Sequence, residues 1–567
     1  MEPGLQLDRV QGNILPGFGA ASQAFLWLHF PSEAGGRRWL RDLIPDVASG
    51  ARVSADKQKR RWSGYAPDRP AMVWVNVAFS RAGLEALGAS GVDEFSAAFR
   101  EGMAARAGRL RDPDPEGWLL GGAGAPATHA LLIVAAESRE RLDAEIARQR
   151  TRLTRHGVRD VLSGSPDHEI CRGDVLPGRF SKHEHFGFRD GISQPALDGS
   201  DNTMPGNVVL GHPDRDGATI GDGPKWAEDG SYLVFRRLRQ DVFGFRKALE
   251  RAARAASLTP DQLAAKLVGR WKSGARLGET LEPWDPGLPS TPGALDYADR
   301  FASDAKGERA PLFSHVRKAY PRDARNAERH RLLRRGIAYG PMLDLRAIED
   351  DGRDRGLLFV AYQADIAQQF EHVQRQLNDP NVPRRAAGSD PLAGQPGPHR
   401  VDLPEPGARD AVSLSFNAYV TMTGGGYFFS PSIPALAHLA NPTDSWAERK
   451  AVMGSVPDDR TRLGNFICEE NPYPWPLNLS TDFDQPGSPR VYRAGLGKHA
   501  DQGTPFRVVE LNLADPRYME GLFWSLGGDR TYRVSKAVRI EYDYTFPDGT
   551  TKTHGIIIGF EGGGGGM

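Results

Sequence analysis

The sequence predicts an α+β fold, with helices stacked on a sheet. Three observations carry that reading. Short runs rich in Val, Leu and aromatics are bounded by Pro, Gly or Ser, which is the mark of strands. Helical segments lie between them. A second set of the same kind follows later in the chain, which points to two domains of related architecture. No sequence repeat is evident between the two sets.

In order, Ala24–Phe30, Ala71–Ala78 and His129–Ala135 read as strands, with helices at Ser80–Leu87 and Ser138–Arg152. Ser231–Arg236 opens the second set. Thr259-Pro-Asp-Gln262 is a capping box with proline at the first helical position, so a helix is expected from there to about Trp271. Gly356–Gln363 is the next strand. The helix behind it carries Ile366, Phe370, Val373 and Leu377 as one apolar stripe. Asn378–Gly407 is dense in Pro, Gly and Asp and reads as a long loop, and Ser413–Met422 as a strand. The tail ends in a hairpin, Ala537–Phe546 and Thr550–Gly559 around Pro547-Asp-Gly549. The Gly562–Gly566 run after it is expected to be flexible.

Composition excludes more than it assigns. Lys plus Arg and Asp plus Glu each total 72, so net charge gives no argument for nucleic acid or anionic lipid. Cys171 and Cys468 are too few for a disulfide framework or a Cys-rich metal site, and they fit a reducing compartment. The start of the chain shows no signal-peptide pattern and no twin-arginine leader. The longest apolar runs are strand-length, well short of the roughly 20 residues a membrane span needs. The expected location is the cytoplasm.

Three elements carry chemistry. His315 follows the apolar pair Leu312-Phe313 and precedes Arg317, Lys318 and Arg322. A lone histidine is usually a surface or hydrogen-bonded residue; the cations beside it would suit an axial ligand whose cofactor carries carboxylates. In the loop Gly187-Phe-Arg-Asp-Gly-Ile-Ser-Gln-Pro195, Gly187 and Gly191 allow close backbone approach to a flat group. Asp190 would project from the turn, or simply cap its own backbone. Arg335 supplies a charge fixed at every relevant pH. Together these residues suggest an iron site with one protein ligand, faced by an acid–base group and a cation.

With those motifs the chain resembles the dye-decolourising (DyP-type) haem peroxidases. That family carries a Gly-x-x-Asp-Gly motif, an axial histidine and a distal arginine, here Gly187–Gly191 with Asp190, His315 and Arg335. Val10–Leu15, Gly230–Phe235, Gly356–Gln363 and Gly424–Pro431 also resemble it, in consistent order over roughly residues 8 to 435. The resemblance implies two ferredoxin-like modules, each an antiparallel sheet with helices packed on it: residues 1–180, then a haem-binding module at 181–440. Residues 441–567 form a C-terminal extension with no counterpart in typical members. It implies one haem b per chain, with His315 on the iron and Arg317 and Arg322 toward the propionates. Leu357, Phe359, Gly191 and Ile192 would lie against the cofactor, and Asp390 would accept from the second ring nitrogen of His315. It implies hydrogen peroxide and a dye, phenolic or other small one-electron donor as substrates, with a homo-oligomer as a further expectation.

The expected chemistry is proton transfer from peroxide by Asp190, with Arg335 stabilising charge on the departing oxygen. A haem-carrying or iron-releasing protein of the same fold is the alternative. A non-catalytic interaction protein working through residues 440–567 is another. His183-Glu-His185 lacks a spaced third ligand and reads as a polar loop; Gly424-Gly-Gly426 is not a dinucleotide fingerprint.

Overall fold

The computed structural model describes residues 5–62, 72–162, 171–197, 201–278, 281–287, 297, 300–322, 326–382, 388–404 and 411–441, together with five strands between 466 and 561. The chain divides into two compact units, Met1–Trp446 and Ala447–Met567.

The first unit is built on one ten-stranded sheet. Its first half comprises β1 (Ser22–His29), β2 (Val73–Phe79), β3 (Ala130–Ala136), β4 (Arg159–Asp160) and β5 (Arg172–Asp174). The second comprises β6 (Ser231–Gln240), β7 (Leu333–Arg334), β8 (Ile337–Tyr339), β9 (Gly356–Gln363) and, after the small hairpin of β10 (His399–Leu403) and β11 (Val412–Phe416), β12 (Val420–Ser430). The order is β4-β1-β3-β2-β12-β6-β9-β7, with β5 on β1 and β8 on β9.

That order contains a topological repeat. Helices Glu33–Leu43 and Gly50–Trp62 lie between β1 and β2, and helix Arg139–Arg155 between β3 and β4. Helices Val242–Ala255 and Pro260–Val268 lie between β6 and β7, and helix Glu371–Asn378 between β9 and β12. Each half is therefore strand–helix–strand–strand–helix–strand, with its fourth strand beside its first and its second at the far edge. This is the ferredoxin-like arrangement. The halves join where β12 pairs β2 through Phe429 and Phe79. The strand path stays open, with no ladder joining its two ends among the described residues.

Alternation along the strands sorts side chains to two faces. Leu132 and Val134 of β3 join one core with Trp39, Leu40, Leu142 and Phe79, while Leu131 and Ile133 join another with Phe25, Trp27, Leu358 and Val360. The capping box at Thr259 forms as expected, but Gly269 at φ +85° ends that helix after Val268. Two expectations need correction. The stretch read as a loop from Asn378 contains β10, which pairs with β11. The single strand expected at Ser413–Met422 is two, β11 and β12, separated by Asn417-Ala-Tyr419. Period-two alternation continues through that break, so the pattern did not reveal it.

The second unit contains β13 (Phe466–Ile467), β14 (Val491–Ala494), β15 (Thr504–Glu510), β16 (Val534–Thr545) and β17 (Thr551–Glu561), in one antiparallel sheet ordered β13-β17-β16-β15-β14. The expected terminal hairpin is β16 and β17, in register from Thr545 opposite Thr551 to Val538 opposite Ile558. Its turn and Gly562–Gly566 lie outside the described residues. Among the described residues no helix is long and apolar enough to cross a membrane.

Candidate active site

A cavity of about 320 Å³ opens against one face of the second half of the sheet, within the usual range for small-molecule sites. Arg236, Leu238 and Gln240 of β6 line it with Leu357 and Phe359 of β9, as alternation requires of residues on one face. Val373 and Leu377 of helix Glu371–Asn378 close one side. The apolar stripe expected here is broken by a π turn at Ile366–Phe370, so Ile366 packs into the core while Val373 and Leu377 turn to the cavity.

His315 begins the short helix His315–Ala319 and lines the cavity. Phe313, fully buried against Val401 and Leu414, anchors the chain just before it. The ring Nδ1 of His315 meets Asp390 Oδ2 at 2.7 Å. The other carboxylate oxygen accepts from the backbone N–H of Leu392 at 2.7 Å and of Ala393 at 3.1 Å. Burial alone would raise the Asp390 pKa, but the His315 ring and these N–H donors outweigh it and hold the carboxyl below its ordinary value. With Nδ1 committed, Nε2 is the ring nitrogen left to act as a ligand. Lys318 is buried and donates to the carbonyls of Asp379 and Gly388 at 2.7 and 3.0 Å, tying the Asp390 loop to the His315 helix. Burial pushes its ammonium down to about 8.

The two arginines expected beside His315 part company. Arg322 lines the cavity and donates to Ser193 Oγ at 3.0 Å. Arg317 does not line it. Its side chain is buried, donates to the carbonyls of Asp304 and Ala310, pairs with the Asp304 carboxylate at 3.2 Å and lies over the Phe301 ring. The expectation that Arg317 faces the cofactor is therefore corrected: two residues past His315, more than half a turn around the helix, it points into the protein.

The 187–195 loop also contributes to the wall of this cavity. Gly187 and Gly191 adopt φ +94° and +79°, conformations that glycine takes without strain. Asp190 and Ile192 line the cavity; Gly191 makes the turn without lining it. Asp190 Oδ1 accepts from the Gly191 N–H at 2.6 Å, so the carboxylate caps its own turn while still facing the cavity. Glu184 organises the loop from below. Its half-buried carboxylate accepts from the N–H groups of Phe186 and Phe188, both at 2.9 Å, and from Gln240 at 2.5 Å. Burial, reinforced by the Asp190 charge, raises its pKa despite those donors. His185 is buried with Nε2 on the Tyr339 carbonyl at 2.8 Å, and no cluster of three metal-ligating side chains occurs among the described residues.

The largest correction concerns the arginine that shares the cavity with Asp190 and His315. Arg334 lines the cavity, donates to the Ile192 carbonyl at 2.9 Å and brings Nη2 to 3.9 Å from Asp190 Oδ1. Arg335, the expected residue, does not line it and points to the other side of the strand. It donates to the carbonyls of Asn13 at 3.0 Å and Ile14 at 2.9 Å. Period-two alternation on β7 forces the choice, because Arg334 pairs with Ala361 on the face shared by Leu357 and Phe359. Sequence reasoning also missed Glu184, Gln240 and Arg331. Arg331 donates to Thr203 Oγ1 at 2.9 Å and pairs with Asp201 while lining the cavity.

The comparisons with known proteins fit this architecture. Residues 9–164 match the model of the DyP dimeric alpha+beta barrel domain, and residues 182–386 that of the Dyp-type peroxidase C-terminal domain. The chain is 31% identical to dye-decolorizing peroxidase msp1 of Mycetinis scorodonius, over 76% of this chain and 87% of that protein. It is 32% identical to dye-decolorizing peroxidase AauDyP1 of Auricularia auricula-judae, over 76% and 86%. A solved structure of an ancestral D-type dye decolorizing peroxidase superposes with TM-score 0.65 at 33% identity, over 76% of this chain and 99% of that one. The chain belongs to the dye-decolorizing, or DyP-type, peroxidase family. It is an oxidoreductase of the peroxidase kind, and dyes are among the substrates that its relatives' names record.

Proposed function

We propose that the cavity holds one haem b, with His315 as the protein ligand to iron, and that the chain reduces hydrogen peroxide at the expense of dyes, phenolics or other one-electron donors. The carrying observation is that His315, Asp190 and Arg334 line a single cavity. The residues present fit the group. The walls offer aliphatic and aromatic faces in Leu357, Phe359, Val373 and Leu377; an imidazole has its second nitrogen fixed by a buried carboxylate; and Arg322 and Arg331 offer cations for two propionates.

When bound, haem supplies the redox centre at which peroxide is reduced to water and the donors are oxidised one electron at a time. The chain does the rest. Asp190 takes a proton from one peroxide oxygen and delivers it to the other, as a general base and then acid. Arg334 stabilises the negative charge that gathers on the departing oxygen. Asp390 keeps the His315 ring oriented and strengthens it as a donor. Residues 1–180 and 181–440 act as the two modules, with 441–567 as an addition to them. A homo-oligomer and a reducing, cytoplasmic setting complete the reading; the family description names a dimeric domain and the cysteines are few.

The test is an absorption spectrum of the purified protein before and after peroxide. A Soret band that responds to peroxide is expected; its absence after haem supplementation overturns the reading. A second reading draws on the deferrochelatase of Yersinia pestis bv. Antiqua, 31% identical over 39% of this chain. Steady-state turnover of peroxide with a dye or phenolic donor separates the two, since removal of iron from haem needs no such donor.

A further inference from the structure

Arg335 and the first residues of the chain form a connected structure behind Arg334. The β7 strand is only Leu333 and Arg334, paired to β9 at Tyr362 and Ala361. So short a ladder at the end of a sheet holds its side chains weakly unless something clamps it. Arg335 is mostly buried, and its guanidinium donates to four carbonyls: Asn13 at 3.0 Å, Ile14 at 2.9 Å, Pro16 at 3.4 Å and Arg334 itself at 3.2 Å. No carboxylate pairs with it among the described residues. Burial accordingly pushes the guanidinium down to about 10.

The first three acceptors belong to a segment fastened to the first half of the sheet. Gln11 donates to the Val77 carbonyl of β2 at 2.8 Å and accepts from the Val77 N–H at 2.8 Å. The Asn13 N–H donates to Asn76 Oδ1 at 2.7 Å, and Asn13 Nδ2 to Tyr362 Oη of β9 at 3.1 Å. Gly17 lies on Arg335 at φ +84°, and a Cβ there would overlap the guanidinium. On the other side of β7, Gln194 accepts from the Arg334 N–H at 3.0 Å and donates to its carbonyl at 3.1 Å.

We propose that Arg335 is a positioning residue for the peroxide reaction: by clamping β7 to residues 13–16, it fixes the aim of Arg334 into the cavity and makes the first half of the sheet part of the site. The inference rests on Arg334 acting on peroxide as described above. Small misplacement of such a group is expensive for rate.

The test uses the full-length holoenzyme and three variants: Arg335→Met, Gly17→Ala and Arg334→Leu. The specificity constant kcat/KM for peroxide and that for the donor report the two half-reactions separately. Hydrogen exchange of the apoprotein reads the clamp without any activity. Arg335→Met and Gly17→Ala should each lower kcat/KM for peroxide by about tenfold or more, with kcat/KM for the donor unchanged. Exchange should quicken together at residues 10–17 and 333–336. An equal fall in both constants would mean a general structural defect and overturns the inference, as does an unchanged peroxide constant in a folded Arg335→Met protein. Should Arg335→Met not fold, Gly17→Ala decides by the same criteria. Arg334→Leu separates the levels: its loss of the peroxide reaction, with Arg335→Met unaffected, sinks the clamp alone, whereas wild-type behaviour of Arg334→Leu sinks the reading beneath it.

Discussion

The imidazole of His315 meets a carboxylate that has no exposure of its own: Asp390 lies entirely inside the protein while the His315 side chain is 37% exposed to the cavity. One partner is therefore fixed by its surroundings and the other is presented. Three donors converge on Asp390, one imidazole and two backbone N–H groups, so its charge is satisfied without solvent.

Replacing Asp390 with Asn removes that charge but keeps the shape. Outer partners of metal-bound histidines are worth about 10–100-fold in metal affinity or activity. Haem should pass to a scavenger protein faster by a factor in that range. Wild-type retention would remove Asp390 from the role.

His315→Ala should lose the ligand altogether. The expected result is a protein that folds, by circular dichroism, but holds haem weakly and without a histidine-ligated spectrum. An unaltered Soret band would show that some other side chain binds the iron.

Asp190→Asn and Arg334→Leu should separate proton transfer from charge stabilisation. Removal of one such stabilising donor costs about 10²–10³-fold in rate where it has been measured, and loss of a general base a similar factor. Stopped-flow mixing with peroxide reads both. Arg335→Leu in the same assay tests whether its effect is smaller, as a residue outside the cavity requires.

His185 gives a stability test with a definite sign. Burial, with the Arg355 cation nearby, pushes its ring down to about 4 from an ordinary 6.5. The unfolded chain takes up this proton near 6.5 and the folded chain only near 4. Stability from this group is thus complete above 6.5 and is lost as pH falls toward 4, by on the order of 3 kcal/mol. His129 and His372 act in the same direction, so the measure is a difference. Between pH 7 and 4 the apoprotein melting temperature of His185→Gln should fall less steeply than that of wild type. Parallel curves would refute the assignment.

Much of this was readable in advance because it is local. Gly356–Gln363 carries its strand signal in its own composition, and Thr259-Pro-Asp-Gln262 its cap. Asp190 stood out because two glycines frame its turn. Arg334 and Arg335 could not be told apart that way. Their neighbours in sequence are the same, and only the pairing of β7 with β9 decides which one faces Phe359. Arg317 failed for a related reason: nothing near it announces Asp304 and Phe301 as its partners. Glu184 was hidden because a carboxylate that accepts from its own loop looks, in sequence, like any polar residue.

The place of β12 bears on how the molecule is made. It is the last strand of the first unit, yet it lies between β6 and β2 and touches both. Until Val420–Ser430 emerges from the ribosome, two bare strand edges wait in the nascent chain, each able to capture a neighbour. The family model for the C-terminal domain ends at residue 386, before this keystone. A fragment cut to that boundary would therefore expose sticky seams instead of yielding a smaller enzyme.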